Sequence, residues 1–131
     1  MNPLDTYRKT RILTASPGEL LVMLYDGLLQ RVRIAAKKMD AGDPAKAGEL
    51  LGRAQDILHE LMNMLARDQA PELADNLMAL YGYCSRLLIG AVAEQDTEKL
   101  NEVYELLKPL RDAWHEAEQT VRTDRQSAAV G

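Results

Sequence analysis

ASPGELLVMLYDG, residues 15–27, decides how the chain folds. Ser16-Pro17-Gly18-Glu19 has the form of a capping box, in which a serine oxygen accepts from the backbone N–H three residues on and the glutamate reaches back. Pro17 falls at the first helical position, where its missing N–H costs nothing. From this start, apolar residues recur at Leu21, Tyr25, Leu28, Val32, Ala35 and Met39, in alternating steps of four and three. That is the seam of a helix packed lengthwise against others. Leu20, Met23, Leu24 and Leu29 widen the stripe, so this helix meets more than one neighbour.

The same punctuation recurs along the chain. The first helix is predicted over 17–40, ending at Ala41-Gly42 with Lys37 and Lys38 in its last turns, where cations favour the dipole. Asp43-Pro44 opens a second helix, predicted over 44–68, with Leu51, Ala54, Leu58, Leu61 and Leu65 inward. Pro71 and Glu72 open a third, running to Glu94, with Leu73, Leu77, Leu80, Tyr81, Cys84, Leu87, Leu88, Ala91 and Val92 on its apolar side. Asp96 or Thr97 caps a fourth, whose seam is Leu100, Val103, Leu107, Leu110, Trp114, Ala117 and Val121. Pro109 interrupts that helix and predicts a kink or break. Short loops between long helices give an all-α fold, an antiparallel four-helix bundle. Residues 17–122 form this bundle. Residues 1–16 form a flexible N-terminal arm and 123–131, TDRQSAAVG, a disordered tail.

Composition narrows the function. The chain has 131 residues and a net charge of −4, with Arg8, Lys9 and Arg11 in the arm and no basic face on the body, which argues against nucleic-acid binding. The single cysteine, Cys84, cannot form an internal disulfide, which suits a reducing compartment. No stretch approaches the roughly 18 uninterrupted apolar residues of a membrane span, and no apolar leader opens the chain. A cytoplasmic protein without membrane insertion is expected.

Two acidic-x-x-His pairs, Asp56 to His59 and Asp112 to His115, have the spacing used in di-metal bundles. They fall between seam positions, and the first helix offers no core carboxylate, so neither a metal site nor a cofactor is expected. His59 also permits a second reading, a histidine phosphocarrier. No phosphate-cradling glycine loop, nucleophile elbow or Cys/His constellation is present, and no catalytic residue is assigned. What remains is apolar surplus: Met23, Met39, Met62, Met64 and Met78, with Leu50, Leu87, Ile89 and Leu106, exceed what four seams need. Methionine adapts to irregular partners, and the surplus either fills a wide core or lines a groove for an amphipathic segment. Periodicity leads to a helical adaptor and no further.

ASPGELLVMLYDGLL at 15–29 resembles the first-helix signature of the FliS family of flagellin-specific export chaperones, A-S-P-x-x-L-[IL]-x-M-L-[YF]-[DN]-G. AGDPAKAGELLGRAQDIL at 41–58, ELADNLMALYGY at 72–83, EQDTEKL at 94–100 and LRDAWHEA at 110–117 agree with that family in order and spacing. The chain departs from it at Gly82, where aspartate is common, and at Leu87 and Val92, where arginine and asparagine are frequent. These changes leave the apolar frame intact.

The resemblance implies a cytoplasmic chaperone that holds the disordered C-terminal segment of flagellin, prevents premature polymerisation and presents it to the type III export apparatus. Oligomeric state is left open. Leu21, Tyr25, Leu58, Met62, Leu65, Leu77, Met78, Tyr81, Val103 and Leu107 are the residues expected to line the flagellin groove, with Trp114 a core anchor. The resemblance also implies that the N-terminal arm covers an apolar pocket until flagellin displaces it. Tyr7, Ile12 and Leu13 would form that plug.

Overall fold

The computed structural model describes residues 16–130 and contains four helices: α1 (Pro17–Asp40), α2 (Pro44–Asn63), α3 (Pro71–Glu94) and α4 (Thr97–Val130). The predicted arm, apart from Ser16, lies outside the described residues. Helix α1 packs against α2 and α4, while α3 packs less extensively against the same two and lies diagonally across from α1. Along the α1–α4 seam, Arg33 stacks on Tyr104, Asp26 meets Arg111 and Ser16 meets Glu118, so the two helices run in opposite directions. The result is an antiparallel four-helix bundle.

Caps set most of the boundaries. Ser16 Oγ accepts from the Glu19 N–H at 3.2 Å, and Asp43 Oδ1 accepts from the Lys46 N–H at 3.1 Å. Glu19 does not complete the predicted capping box. Its carboxylate accepts from Arg122 on α4 at 2.8 Å, trading a local bond for one that pins two helices. At the end of α1, Gly42 takes φ +77°, its N–H bonds Met39 O, and the Asp43 N–H bonds Lys38 O. That is a Schellman turn, which satisfies carbonyls the helix leaves open. Asp96 Oδ1 accepts from the Glu98 N–H at 3.0 Å and opens α4.

Three expectations are corrected. First, α2 ends at Asn63, short of the predicted 68. Leu65 continued the apolar period in sequence, but it lies in the following loop and turns its side chain inward from there. Second, α4 does not break at Pro109. Pro109 and Glu105 are both exposed, so the carbonyl deprived of its donor is on the solvent side, where water can bond it. Third, α4 does not give way to a disordered tail after Arg122 but continues to Val130. Arg122, Arg125, Gln126 and Ala128 are good helix formers, and every side chain from Gln119 to Ala128 is exposed.

The core is built from the predicted seams, with Tyr25, Leu28, Val32, Leu51, Leu58, Leu61, Tyr81, Cys84, Leu88, Leu100, Val103 and Leu107 at 1% exposure or less. The seams fail at their ends. Leu73 and Val92 are exposed and Ala74 is buried, while on α4 Leu110 and Trp114 are half-buried and Ala117 and Val121 exposed. α1 begins at Pro17, level with Glu118 of α4, so beyond that point α4 has no α1 to pack against.

Candidate functional site

Among the described residues, the end of the bundle where α1 begins is open. There, the first turn of α1, the last turn of α2, the loop 64–70 and the first turns of α3 surround an apolar cavity of about 310 Å³. Leu21, Leu61, Leu65, Leu77, Tyr81 and Trp114 form its walls, and Met64 and Leu73, 37% and 50% exposed, stand at its rim. None of the lining residues is charged. α2 ends at Asn63, and the loop that follows it supplies Met64, Leu65, Ala66 and Ala70 to the lining.

Polar atoms are packed behind its inner wall. The hydroxyl oxygens of Tyr25 and Tyr81 are 2.6 Å apart. Burial raises the pKa of both phenols above the ordinary tyrosine value, making them weaker acids, and for Tyr25 the bond from Tyr81 partly offsets it. The Trp114 indole N–H is near enough to the Tyr25 hydroxyl to favour its phenolate, yet makes no hydrogen bond of normal geometry and is buried without a partner. Burial likewise pushes the neighbouring Cys84 thiol up to about 11. Such a thiol is inert at neutral pH.

A second apolar depression lies between α2 and α3 toward their other ends, with Leu51 and Leu88 as its floor, Gly48 and Gly52 on one side and Ile89 and Val92 on the other. Gln55 and Ser85 separate the two depressions. Gln55 Nε2 donates to Ser85 O at 2.9 Å and Ser85 Oγ donates to Gln55 Oε1 at 2.8 Å, a reciprocal pair that fixes α3 to α2.

The structure sorts the residues predicted for the groove into three groups. Leu21, Leu65, Leu77 and Tyr81 line the open-end cavity together. Met62 and Met78 are half-buried near it without lining it. Tyr25, Leu58, Val103 and Leu107 are fully buried core, which no ligand touches while the bundle stays closed. Tyr7, Ile12 and Leu13 lie outside the described residues. Trp114, predicted as a core anchor, is half-buried in the cavity wall. Met64, Leu73 and Ala74 were missed as lining residues. Met64 was hidden inside the overlong α2, and Leu73 was assigned to the core by its period. Asp56, His59 and Asp112 are exposed and His115 is half-buried. Among the described residues, no three His, Cys, Asp or Glu side chains are grouped closely enough to hold a metal ion. No described helix is long and apolar enough to cross a membrane.

Comparison with known proteins gives this geometry a context. The family described as "Flagellar protein FliS" matches residues 1–121. The flagellar secretion chaperone FliS of Bacillus subtilis is 39% identical over 127 residues, covering 97% of this chain and 94% of the relative. That of Salmonella typhimurium is 33% identical over 107 residues, covering 81% and 79%. A solved structure described as a flagellar chaperone from bacteria has the same fold, with a TM-score of 0.74 and 19% identity over 91% of this chain and 99% of the other. The family match spans both walls of the cavity and the seams that support them, and the chain belongs to the family of flagellar protein FliS.

Proposed function

We propose that this chain is a cytoplasmic export chaperone that binds the disordered C-terminal segment of flagellin, keeps it from polymerising and delivers it to the flagellar type III export apparatus. Membership in a family of flagellar secretion chaperones supports the role in general terms. The observation that carries the specific reading is the open, uncharged cavity flanked by exposed Met64 and Leu73. A disordered client that folds on binding can place the apolar face of a helix there and continue along the α2–α3 groove to the second depression. Two separated depressions suit an extended client better than a small ligand, which would need one enclosed pocket.

The N-terminal arm is part of this reading. Pro17 lines the cavity, and Tyr7, Ile12 and Leu13 precede it by only a few residues in sequence, a separation short enough for them to serve as the plug. The test is calorimetric titration with the C-terminal ~50 residues of flagellin from the same cell, a length that supplies several helical turns. One-to-one binding with a large negative heat-capacity change supports a coupled-folding client. Absence of binding, both to the full chain and to a folded protein lacking the arm, rejects the proposal.

A further inference from the structure

The first turn of α1, residues 17–20, supplies Pro17 and Gly18 to the lining of the open-end cavity but buries none of its side chains. Pro17 is exposed, Gly18, Glu19 and Leu20 are half-buried, and the first buried residue of the helix is Val22. A helix end without buried side chains opens at little free-energy cost. Contacts other than core packing must hold this wall of the cavity in place.

Those contacts come from α4. Ser16 Oγ, which accepts from the Glu19 N–H, donates to Glu118 Oε1 at 3.2 Å. The half-buried Glu118 carboxylate reaches over Gly18, where a Cβ would overlap its other oxygen, Oε2. Glycine is a poor helix former, and its presence in this turn is explained by a carboxylate that fills the volume of a side chain. An anion at this end of α1 also faces the positive pole of the helix dipole. Arg122, one turn further along α4, donates to Glu19 at 2.8 Å, but that pair is 48% and 33% exposed and adds little. Trp114, four residues before Glu118, is itself in the cavity wall, so the Glu118 contact joins α1 to α4 at the cavity's edge.

We infer that Glu118 is a positioning residue for client binding: seated on Gly18, it keeps the first turn of α1 in place as a wall of the cavity before a client arrives. A site whose wall is in place only part of the time loses apparent affinity by that fraction, because ordering the wall draws on the binding energy. This inference rests on the cavity being the seat of the flagellin segment.

Glu118→Ala is expected to leave thermal melting unchanged, since only a helix end is released, and to speed amide exchange of Glu19 to Leu21 at least fivefold, on the order expected for a local opening. Calorimetry with the C-terminal ~50 residues of flagellin should show binding about fivefold weaker, the effect of a wall in place roughly a fifth of the time. Gly18→Ala puts a methyl where the carboxylate sits. The obstacle is the end of a flexible side chain, so the backbone accepts the substitution and the loss is the contact itself. It should weaken binding about threefold in the parent chain, and leave it unchanged or tighter in the Glu118→Ala background, where the higher helix propensity of alanine acts alone. Parent-like affinity of Glu118→Ala, or effects of the two substitutions that simply add, overturn the inference while leaving the chaperone reading in place. A fall in melting temperature that accounts for the weaker binding also overturns it, by making Glu118 a plain stability contact. A parent protein that does not bind the segment overturns both readings.

Discussion

The hydroxyls of Tyr25 on α1 and Tyr81 on α3 meet at 2.6 Å, and their rings pack edge to face with centroids 6.4 Å apart and planes at 60°. These residues join the two helices that lie diagonally across the bundle, so one contact ties the α1–α2 and α3–α4 halves together. Tyr25→Ala removes the ring and leaves a cavity between well-packed neighbours. It is expected to lower unfolding stability by about 3–5 kcal/mol in urea titration. A loss below about 1 kcal/mol would mean that the diagonal contact is not structural.

Stability should fall on the alkaline side. Cys84 is held at about 11 in the folded protein, above its unfolded value, so the unfolded chain loses this proton first as pH rises. The protonated thiol's contribution is complete below about pH 8.5 and is lost as pH climbs toward 11. Tyr25 and Tyr81, both raised by burial, act in the same direction from about pH 10 upward. Thermal melts from pH 7 to 11 should show a plateau and then a decline, and Cys84→Ala should shallow the part between 9 and 10. Melting temperatures that rise across this range would contradict the burial of these groups.

Leu73→Glu and Met64→Glu place charges at the cavity rim, where both side chains are already exposed. The fold should tolerate them within about 0.5 kcal/mol. Affinity for the flagellin segment should drop at least tenfold, because a helix docking over the rim would bury an unpaired carboxylate. Parent-like affinity in both variants would move the docking site away from this end of the bundle.

Deletion of residues 2–13 should tighten flagellin binding and reduce solubility. An arm that occupies the cavity part of the time lowers apparent affinity by the fraction of time the site is closed, and it shields apolar surface in the free protein. Calorimetry and a concentration-dependent light-scattering series measure the two effects. An unchanged affinity removes the plug.

The bundle was legible because its signals repeat: proline at the first helical position of α1, α2 and α3, apolar residues at alternating steps of four and three, and Gly42 at a turn that requires positive φ. The ends were less legible, because helix length depends on what a side chain meets. Leu65 keeps the period of α2 but serves the loop, and Leu73 keeps that of α3 but faces solvent at the rim. α4 outlasts its neighbours on helix propensity alone, which a composition-based expectation of disorder overlooked. The cavity is where those errors meet. Part of its lining is the loop that follows the early end of α2, and Trp114 and Tyr81 in its wall have a spacing that also fits plain core. Periodicity identifies an inward face, but it does not distinguish packed from vacant space behind that face.

The central claim is that the open end of the bundle seats the C-terminal segment of flagellin, and amide hydrogen exchange with and without that segment tests it most directly. Binding is predicted to slow exchange in the first turn of α1, in the loop 64–70 and along α3 from its start to Tyr81, while the distant α1–α2 loop exchanges as before. Protection confined to the α1–α4 face, with the loop 64–70 unaffected, would contradict the account.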